Sequence, residues 1–473
     1  MLFATSKYWL FLTVVFFVYW SIARKRSLSV VVILLASYYF YALWNPKFVL
    51  LLFGISTVDF LTATLISRGN NSHLRRLLLW ASIATDIGAL IIFKYFNFFS
   101  SSATTLLSYL HLNTRSFLID DLVIPLGLSF ITFRSLSYVI DVYRGTLPAT
   151  RRYLDYLAFV AFFPTLIAGP VTRARDLLPQ FENSRFESHQ GLEGIFLILL
   201  GLIKKIAIAD MIGANLVDRV FDQPQLYSSV ETLAAIYGYA IQIYCDFSGY
   251  SDIAIGSALL LGFRLPENFH SPYRAKNLRE FWKRWHISLS NWLFDYVYIS
   301  LGGLRKRRIN LYRNLILTFL IGGLWHGAAW TFVIWGGLHG LGLAVSHWWN
   351  LRRKRSGTKP IQTRWKELLS ILATFHFVCL TWVVFRAESI DQVLNVLKRL
   401  TAFQFSIANL PAPLMLLLGI AFLSHWVPEK AMSRIMEGWN WLPSPAQAVV
   451  VLSIAFGLYY VSGTEVQFIY GNF

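Results

Sequence analysis

Long apolar runs recur along the whole chain, with short polar connections between them. The clearest runs cover residues 8–22, 28–43, 48–66, 77–93, 234–243, 315–335, 338–348, 368–385, 414–426 and 446–461. Apolar residues are continuous within these runs, whereas the strands of a membrane barrel alternate apolar and polar residues. Several runs reach the roughly 17–25 residues that span a bilayer as a helix. The pattern therefore predicts an all-α polytopic membrane protein with about eleven transmembrane helices, and with re-entrant or interfacial helices where runs are short.

Composition indicates that lipid covers much of the surface. Of the 473 residues, 56% are hydrophobic and 14% are charged, against about 25% charged residues in soluble domains. The mean hydropathy is +0.50. Because too few polar side chains remain to cover a water-facing surface, a soluble protein is excluded. No internal repeat, low-complexity tract or long linker divides the chain, so residues 1–473 are predicted to form a single membrane-embedded domain.

The basic residues have an uneven distribution that predicts topology. The net charge is +18, and its clusters lie in short connections, at positions 24–26, 75–76, 151–152, 173–175, 305–308 and 352–355. This is the positive-inside pattern, with anionic lipid headgroups rather than nucleic acid as the countercharge. The first apolar run ends at Arg24-Lys25-Arg26 and not at a small-residue cleavage site. It is therefore predicted to be the first membrane helix, with an extracytoplasmic N-terminus.

Two aspartates stand out in the segment Tyr244-Cys-Asp-Phe-Ser-Gly-Tyr-Ser-Asp252. Ionisable residues within a membrane region are energetically costly, so they mark candidate functional positions. The pattern places Asp246 and Asp252 at the end of an apolar helix. They are either polar caps of that helix, or carboxylates that orient a histidine or pair with an arginine. The Gly-x-Ser-x-Gly pattern of a nucleophile elbow is absent from this segment.

A second polar segment, residues 279–293, has the pattern of an interfacial helix. At helical spacing Trp282 shares an apolar face with two leucines, while Arg279 and Lys283 lie beside that face and His286 falls on the border. One interpretation is an anchor at headgroup depth. The other is the wall of a cytoplasmic entrance, where the cations meet the phosphates of a coenzyme or of a carrier's prosthetic group.

The third segment, residues 320–340, places His326 among apolar and small residues. Its six glycines permit close approach of a neighbouring helix or a ligand, and Trp325, Trp330 and Trp335 are predicted to form large walls. A neutral imidazole near pH 7 suits general-base work on a hydroxyl. The alternative is a core histidine that is hydrogen-bonded to a neighbouring carbonyl.

The chain offers no motif for a metal. His339 follows His326 by 13 residues, so it is expected to point away from His326 on the same helix. No His-Glu-x-x-His pattern is present. Cys245 and Cys379 are too few for a disulfide framework or a cysteine-type zinc site. No metal site is therefore predicted.

Eight short segments form a further pattern when they are taken in order. They are Pro125-Leu-Gly-Leu-Ser-Phe-Ile-Thr-Phe133, Ser137-Tyr-Val-Ile-Asp-Val-Tyr-Arg-Gly145, Phe163-Pro-Thr-Leu-Ile-Ala-Gly-Pro170, Cys245-Asp-Phe-Ser-Gly-Tyr-Ser-Asp252, Gly262-Phe-Arg-Leu-Pro-Glu-Asn-Phe269, Phe281-Trp-Lys-Arg-Trp-His-Ile-Ser-Leu289, Gly323-Leu-Trp-His-Gly327 and Trp382-Val-Val-Phe-Arg-Ala387. Each is weak alone, but their order and spacing within a polytopic chain are specific. With these segments the chain resembles, over almost its whole length, the membrane-bound O-acyltransferase family, in its bacterial branch for alginate, cellulose and peptidoglycan acetylation.

The resemblance implies a fold and a set of site residues. The fold is a helical bundle around a central tunnel, which the donor enters from the cytoplasm and the acceptor from the other side. The family's key histidine matches His326 and its second recurrent histidine matches His286. The catalytic segment is expected at about residues 120–345, with peripheral helices in 1–100 and 365–473. Substrate orientation is assigned to five further residues, namely Asp246, Arg279, Trp282, Ser288 and Trp325.

The function implied is O-acetylation of an extracytoplasmic polysaccharide from a bacterial inner membrane. His326 is the expected general base, acetyl-CoA the expected donor without a permanently bound cofactor, and an esterase-like extracytoplasmic protein the expected partner. Three alternatives stay open at this point. The first is D-alanyl transfer from a carrier protein for teichoic acid, and the second is acylation of lipids or proteins. The third is a transporter, which predicts repeated discontinuous half-helices.

Overall fold

A computed structural model describes residues 3, 5–112, 117–120, 122–182, 187–303, 308–356, 363–462 and 469. Within these ranges the chain is helical and contains no strand, which confirms the all-α class. The helices are α1 Ser6–Ile22, α2 Arg26–Ala42, α3 Lys47–Arg68, α4 Ser72–Leu90, α5 Phe96–Tyr109, α6 Leu128–Arg144, α7 Tyr153–Ala161, α8 Ala174–Leu177, α9 Ser188–Leu202, α10 Asp218–Asp222, α11 Ser229–Leu260, α12 Leu278–Trp282, α13 Ile287–Trp292, α14 Arg308–His326, α15 Trp330–Arg355, α16 Arg364–Arg386, α17 Ile390–Leu400, α18 Ala412–Ser424, α19 Glu429–Trp441 and α20 Ser444–Val461.

Among the described residues, four helical stretches are long and apolar enough to cross a membrane. They are Lys47–Arg68, Ser72–Tyr109, Arg364–Arg386 and Ser444–Val461. The shorter apolar helices α1, α2 and α18 accompany them. Large apolar side chains on these helices are exposed, as lipid contact requires, with Leu50 at 74% and Phe456 at 73%. The chain is thus a multi-pass membrane protein, and the number of about eleven spans stays a prediction, as does the central tunnel.

Contacts divide the chain into two compact units. Unit 1 comprises Met1–Gly194 with Ser257–Pro266, and unit 2 comprises Ile195–Gly256 with Glu267–Phe473. The segment from 120 to 345 that was expected to carry the chemistry contributes to both units. The prediction that residues 1–473 form a single acyltransferase domain stays a prediction.

Unit 1 contains a buried arginine on α6 that donates hydrogen bonds to the backbone of a neighbouring segment. Arg134 is 1% exposed and donates hydrogen bonds to the carbonyl oxygens of Phe159 at 3.3 Å and Thr165 at 2.7 Å. A buried guanidinium is tolerated only when its donors have acceptors, and here they are the carbonyls of a turn. The turn also passes close to Gly127, where an added Cβ would lie 2.2 Å from the carbonyl oxygen of Leu166. Glycine is therefore required at the start of α6.

Unit 2 contains a closely packed hairpin of α14 and α15. A Cβ added to Gly323 would lie 2.3 Å from the carbonyl oxygen of Phe332, and one added to Gly336 would lie 2.2 Å from that of Phe319. Real side chains do not fit at these distances, so glycine lets the two backbones touch. The predicted close approach at these glycines is confirmed.

Three sequence-based helix predictions in unit 2 are wrong in their limits. The run 315–335 is not one span, because α14 ends at His326 and α15 begins at Trp330. The segment 279–293 is interrupted between α12 and α13. The aspartates predicted at a helix end instead lie within α11, which has 32 residues.

Candidate active site

His326 is the last residue of α14, immediately before a tight turn. A Cβ added to the next residue, Gly327, would lie 2.1 Å from Cε2 of Phe332. Glycine leaves room for that ring at the turn, and α15 begins three residues later at Trp330. His326 is thus at a helix end and not within a span, and His339 lies on the following helix rather than on the same one.

The imidazole of His326 is 3% exposed and is surrounded by aromatic rings. Its centroid lies 4.9 Å from that of Trp325, 5.1 Å from that of Trp335 and 5.2 Å from that of Phe385, in edge-on arrangements. Of the three predicted tryptophan walls, two are therefore in place. The third, Trp330, is 54% exposed, and its place in the walls stays a prediction.

His286 occupies the break between α12 and α13 with a left-handed backbone, φ 43°. Its side chain is fully buried, and Nδ1 lies 3.1 Å from Oδ1 of Asn268. An amide oxygen only accepts, so Nδ1–H is the donor and Nε2 is left as the acceptor of the neutral ring. Within the described ranges, Nε2 has no hydrogen-bond partner. Burial lowers the pKa of His286 to about 3, which keeps the ring neutral near pH 7.

Asn268 organises this part of the site and was missed as a site residue. Its Oδ1 also accepts hydrogen bonds from Oγ of Ser288 at 2.8 Å and from the backbone N–H of Ser288 at 3.3 Å. Its Nδ2 donates to Oγ of Ser251 at 3.1 Å. One amide thus fixes the ring orientation of His286 and the position of Ser288 together. The only sequence signal for it was its place in the motif 262–269.

Trp325 brings the two histidines into one cluster. Its ring centroid lies 5.9 Å from that of His286 and 4.9 Å from that of His326. The two site histidines come from separate elements, a short-helix break and the end of α14, and both contact this indole. The predicted grouping of His286, Ser288, Trp325 and His326 is therefore what the structure brings together.

Trp282 lies next to this cluster and is held by His339. The Nε1–H of Trp282 donates to Nδ1 of His339 at 3.3 Å, and Nε2–H of His339 donates to Oγ1 of Thr381 at 2.9 Å. Both ring nitrogens of His339 are thus satisfied, as in a structural core histidine. Trp282 also contacts Trp335, with centroids 5.8 Å apart. Trp335 in turn contacts His326, so Trp282 is one ring removed from the candidate base.

Asp246 takes part in an ion pair of its own. Nζ of Lys205 lies 2.7 Å from Oδ1 of Asp246 and 2.6 Å from Oδ1 of Asp210. The backbone N–H of Ile469 donates to Oδ2 of Asp246 at 2.9 Å. Asp246 thus pairs with a lysine, and neither the helix-cap interpretation nor the arginine-pair interpretation holds. Its assigned role in substrate orientation stays a prediction.

The second lysine of this region is paired in the same way. Nζ of Lys204 lies 2.6 Å from Oδ2 of Asp252. Both lysines lie in a π-helical stretch that continues α9, and this stretch runs close to α11, where a Cβ added to Gly249 would lie 2.7 Å from the carbonyl oxygen of Gly201. The close approach permits these short ion pairs.

Arg279 lies outside the buried cluster, on the exposed side of α12. A second cation of this segment, Lys283, is also exposed. Arg284, by contrast, forms an ion pair in which its Nη2 lies 2.9 Å from Oε1 of Glu280. No carboxylate among the described residues pairs with Arg279 or Lys283. Two unpaired cations therefore stand on this segment. The described part of the chain also has no group of three or more His, Cys, Asp or Glu side chains that could hold a metal ion.

The sequence matches the model of the membrane-bound O-acyltransferase family over residues 147–384. It is 42% identical over 392 residues to the probable alginate O-acetylase AlgI of Azotobacter vinelandii, covering 83% of this chain and 75% of that protein. It is 37% identical to a peptidoglycan O-acetyltransferase of Helicobacter pylori, covering 81% and 76%. It is 31% identical to a teichoic acid D-alanyltransferase of Streptococcus thermophilus, covering 55% and 68%.

Proposed function

Because the chain belongs to the membrane-bound O-acyltransferase family and is an O-acyltransferase, we propose that it transfers acetyl groups for the O-acetylation of an extracytoplasmic polysaccharide. The acetyl specificity rests on its likeness to two named O-acetyltransferases, each over more than four fifths of the chain. The single observation that carries the mechanism is that two buried histidines contact one indole, that of Trp325.

His326 acts as the general base in this proposal. Its neutral ring takes the proton of an acceptor hydroxyl while the hydroxyl oxygen attacks the carbonyl carbon of an acetyl thioester. The carbon–sulfur bond breaks, and the proton passes from the imidazolium to the departing thiolate, so the products are an acetyl ester and a free thiol. General-base assistance contributes roughly 10²–10⁴-fold. The rings of Trp325, Trp335 and Phe385 limit the access of water that would compete as an acceptor.

His286 binds the acyl donor. Because Nδ1–H of His286 donates its hydrogen bond to Oδ1 of Asn268, Nε2 carries no proton and can accept a hydrogen bond but cannot donate one. A coenzyme arm offers amide N–H groups to such an acceptor. In this proposal His286 therefore holds the donor and does not protonate it.

Acetyl-CoA is the proposed donor, consumed as a substrate and not held as a permanent cofactor. Its phosphates carry the charge that the unpaired cations Arg279 and Lys283 attract. The proposed setting is a bacterial inner membrane, with an extracytoplasmic N-terminus and a cytoplasmic donor. An esterase-like extracytoplasmic protein is the proposed partner that completes transfer to the polysaccharide.

Membranes that contain the wild-type chain or the variant His326→Ala, incubated with labelled acetyl-CoA, test this mechanism. We expect the variant to insert normally and to lose acetyl transfer. The control is His376→Gln, which changes an exposed histidine on α16 and should keep full activity. Normal transfer by His326→Ala would falsify the assignment of His326 as the base.

D-alanyl transfer is the second candidate, favoured by the 31% identity to a teichoic acid D-alanyltransferase. The same base would then serve a different donor. Supplying the membranes with labelled acetyl-CoA in one reaction and with a D-alanyl-loaded carrier protein in another separates the two. Label transfer from the carrier alone would replace the acetyl proposal. Because the chain belongs to an acyltransferase family, it is an enzyme, and the transporter alternative is wrong.

A further inference from the structure

A cavity of about 820 Å³ is lined by residues of unit 1 alone, whereas every residue of the proposed active site belongs to unit 2. Its walls come from the last turns of α3, from the start of α4, and from the end of α6 with the segment that follows it. The volume is within the range of roughly 300–1,000 Å³ that small-molecule sites occupy. Neither the proposed reaction nor its substrates use this cavity.

Three arginines line the cavity, and no acidic residue does. They are Arg68, Arg75 and Arg151. Some other arginines of unit 1 have carboxylate partners, such as Arg26 with Asp155 and Arg152 with Glu182. By contrast, no carboxylate within the described ranges pairs with any of the three cavity arginines. Three guanidiniums without a countercharge around one cavity indicate an anionic ligand.

Arg75 is the most constrained of the three. Its Nη2 donates to the carbonyl oxygen of Tyr143 at 3.0 Å, and its guanidinium lies 5.6 Å from the centroid of the Tyr143 ring. Its Nε is buried and has no acceptor in the described part of the chain. Gly69 lies close to the side chain, since a Cβ added there would lie 3.7 Å from Cγ of Arg75. The guanidinium is thus held in place, and its Nε–H is not used by any acceptor among the described residues.

The position of the cavity at the end of a membrane-crossing helix narrows the ligand further. Arg68 is the last residue of α3, and Thr64 and Phe60 line the cavity one and two turns deeper in the same apolar helix. Val142 contributes another apolar surface from α6. The cavity therefore has cations at headgroup depth and apolar side chains towards the hydrocarbon. This is the polarity of a phospholipid and not of a free ion.

We infer that the cavity between α3, α4 and α6 binds the phosphate headgroup of an anionic phospholipid. The phosphate oxygens accept hydrogen bonds from Arg68, Arg75 and Arg151, and the upper part of an acyl chain lies along Phe60 and Val142. A zwitterionic lipid adds a positive ammonium or choline group among three cations and is disfavoured. The ligand class is thus a phosphate-bearing lipid with net negative charge.

The test is native mass spectrometry of the full chain, released from nanodiscs that contain equal amounts of phosphatidylglycerol and phosphatidylcholine. The wild type should retain phosphatidylglycerol. The double variant R68Q/R151Q changes only exposed arginines and leaves the packing of Arg75 intact. It should bind phosphatidylglycerol at least about tenfold more weakly than the wild type. The matched control is R24Q/R76Q, which removes the same two charges at exposed arginines that do not line the cavity.

Three results overturn the inference. Equal retention of the two lipids by the wild type removes the anionic preference. An equal loss in R68Q/R151Q and in R24Q/R76Q shows attraction by net charge alone. Displacement of the lipid by millimolar glycerol phosphate shows that the ligand is a soluble phosphate. If the double variant unfolds, R68K/R151K keeps the charge and should retain the lipid, and a failure to do so also counts against the site.

Discussion

Two buried polar clusters in unit 2 differ in how completely their groups are matched. In the ion-pair cluster, each lysine ammonium meets a carboxylate within 2.7 Å, Lys205 meeting Asp246 and Asp210, and Lys204 meeting Asp252. In the histidine cluster, neutral groups are held by one amide and by aromatic rings, and Nε2 of His286 has no partner among the described residues. A matched cluster holds structure together, whereas an acceptor left unmatched in a buried site is available to a substrate.

The sharpest test of this difference is to compare activity with stability for one change in the histidine cluster. His326→Gln keeps a polar side chain of similar size but removes the base. We expect turnover to fall by roughly 10²–10⁴-fold, with the midpoint of thermal unfolding in detergent close to that of the wild type. A variant that keeps its turnover, or that loses folding and turnover together, would place His326 with the structural groups.

The reverse result is expected in the ion-pair cluster. Lys205→Met leaves Asp210 and Asp246 without their shared ammonium, and stranding a buried charge costs about 3–5 kcal/mol of unfolding free energy. Denaturant unfolding of the purified chain measures the loss, and Lys283→Met is the control because Lys283 is exposed and has no carboxylate partner in the described structure. The double variant K205M/D246L removes one stranded carboxylate and should recover part of the stability. No recovery would show that the pair is not coupled.

A substitution of Asn268 tests the histidine cluster without replacing either histidine. Asn268→Leu removes the acceptor that fixes His286, so the KM for acetyl-CoA should rise by about tenfold, equivalent to about 1.4 kcal/mol. The catalytic rate at saturating donor should change less, because His326 stays in place. A fall in that rate with an unchanged KM would contradict the role of His286 in holding the donor.

A second change at the same position gives a pH dependence. In the wild type, burial lowers the pKa of His286 to about 3, so the ring stays neutral from pH 5 to 8 and donor binding should not depend on it. In Asn268→Asp, a carboxylate accepts the same hydrogen bonds and favours the imidazolium, which raises the pKa of His286. The proton then blocks Nε2 as an acceptor, so KM should rise as the pH falls. A flat profile of KM against pH in this variant would count against that model.

The fold class was predictable because a bilayer leaves few choices. Continuous apolar runs without barrel alternation require helices, and the glycines of 320–340 predicted a close helix contact that Gly323 and Gly336 make. The helix end at His326 was not predictable, because Gly327 is needed there only once Phe332 packs against it. The break at His286 has no glycine or proline to announce it. A left-handed non-glycine residue costs roughly 1–2 kcal/mol, and hydrogen bonds to Asn268 from another segment offset that cost.

The site residues that could be predicted were those that single positions or short motifs indicate. An imidazole amid apolar residues marked His326, and the family motifs marked His286. The partner of Asp246 could not be found in this way, because Lys205 belongs to a different helical stretch and only the contact between Gly201 and Gly249 brings the stretches together. Pairings between distant segments depend on packing, and a single sequence does not encode packing in any local pattern.

The smallest expected effect concerns the one site assignment that stands outside both clusters. Arg279 is exposed and has no carboxylate partner within the described ranges, so its attraction for the donor's phosphates acts through water and is screened by salt. Exposed pairs are worth about 0.2–1 kcal/mol, so Arg279→Gln should raise the KM for acetyl-CoA by at most about fivefold at low salt. The same measurement at high ionic strength should show no difference from the wild type. Lys283→Gln should behave alike, because it offers the same charge on the same segment. A large effect that survives high salt would mean that Arg279 becomes buried against the donor, and the boundary between the exposed cations and the histidine cluster would then have to be redrawn.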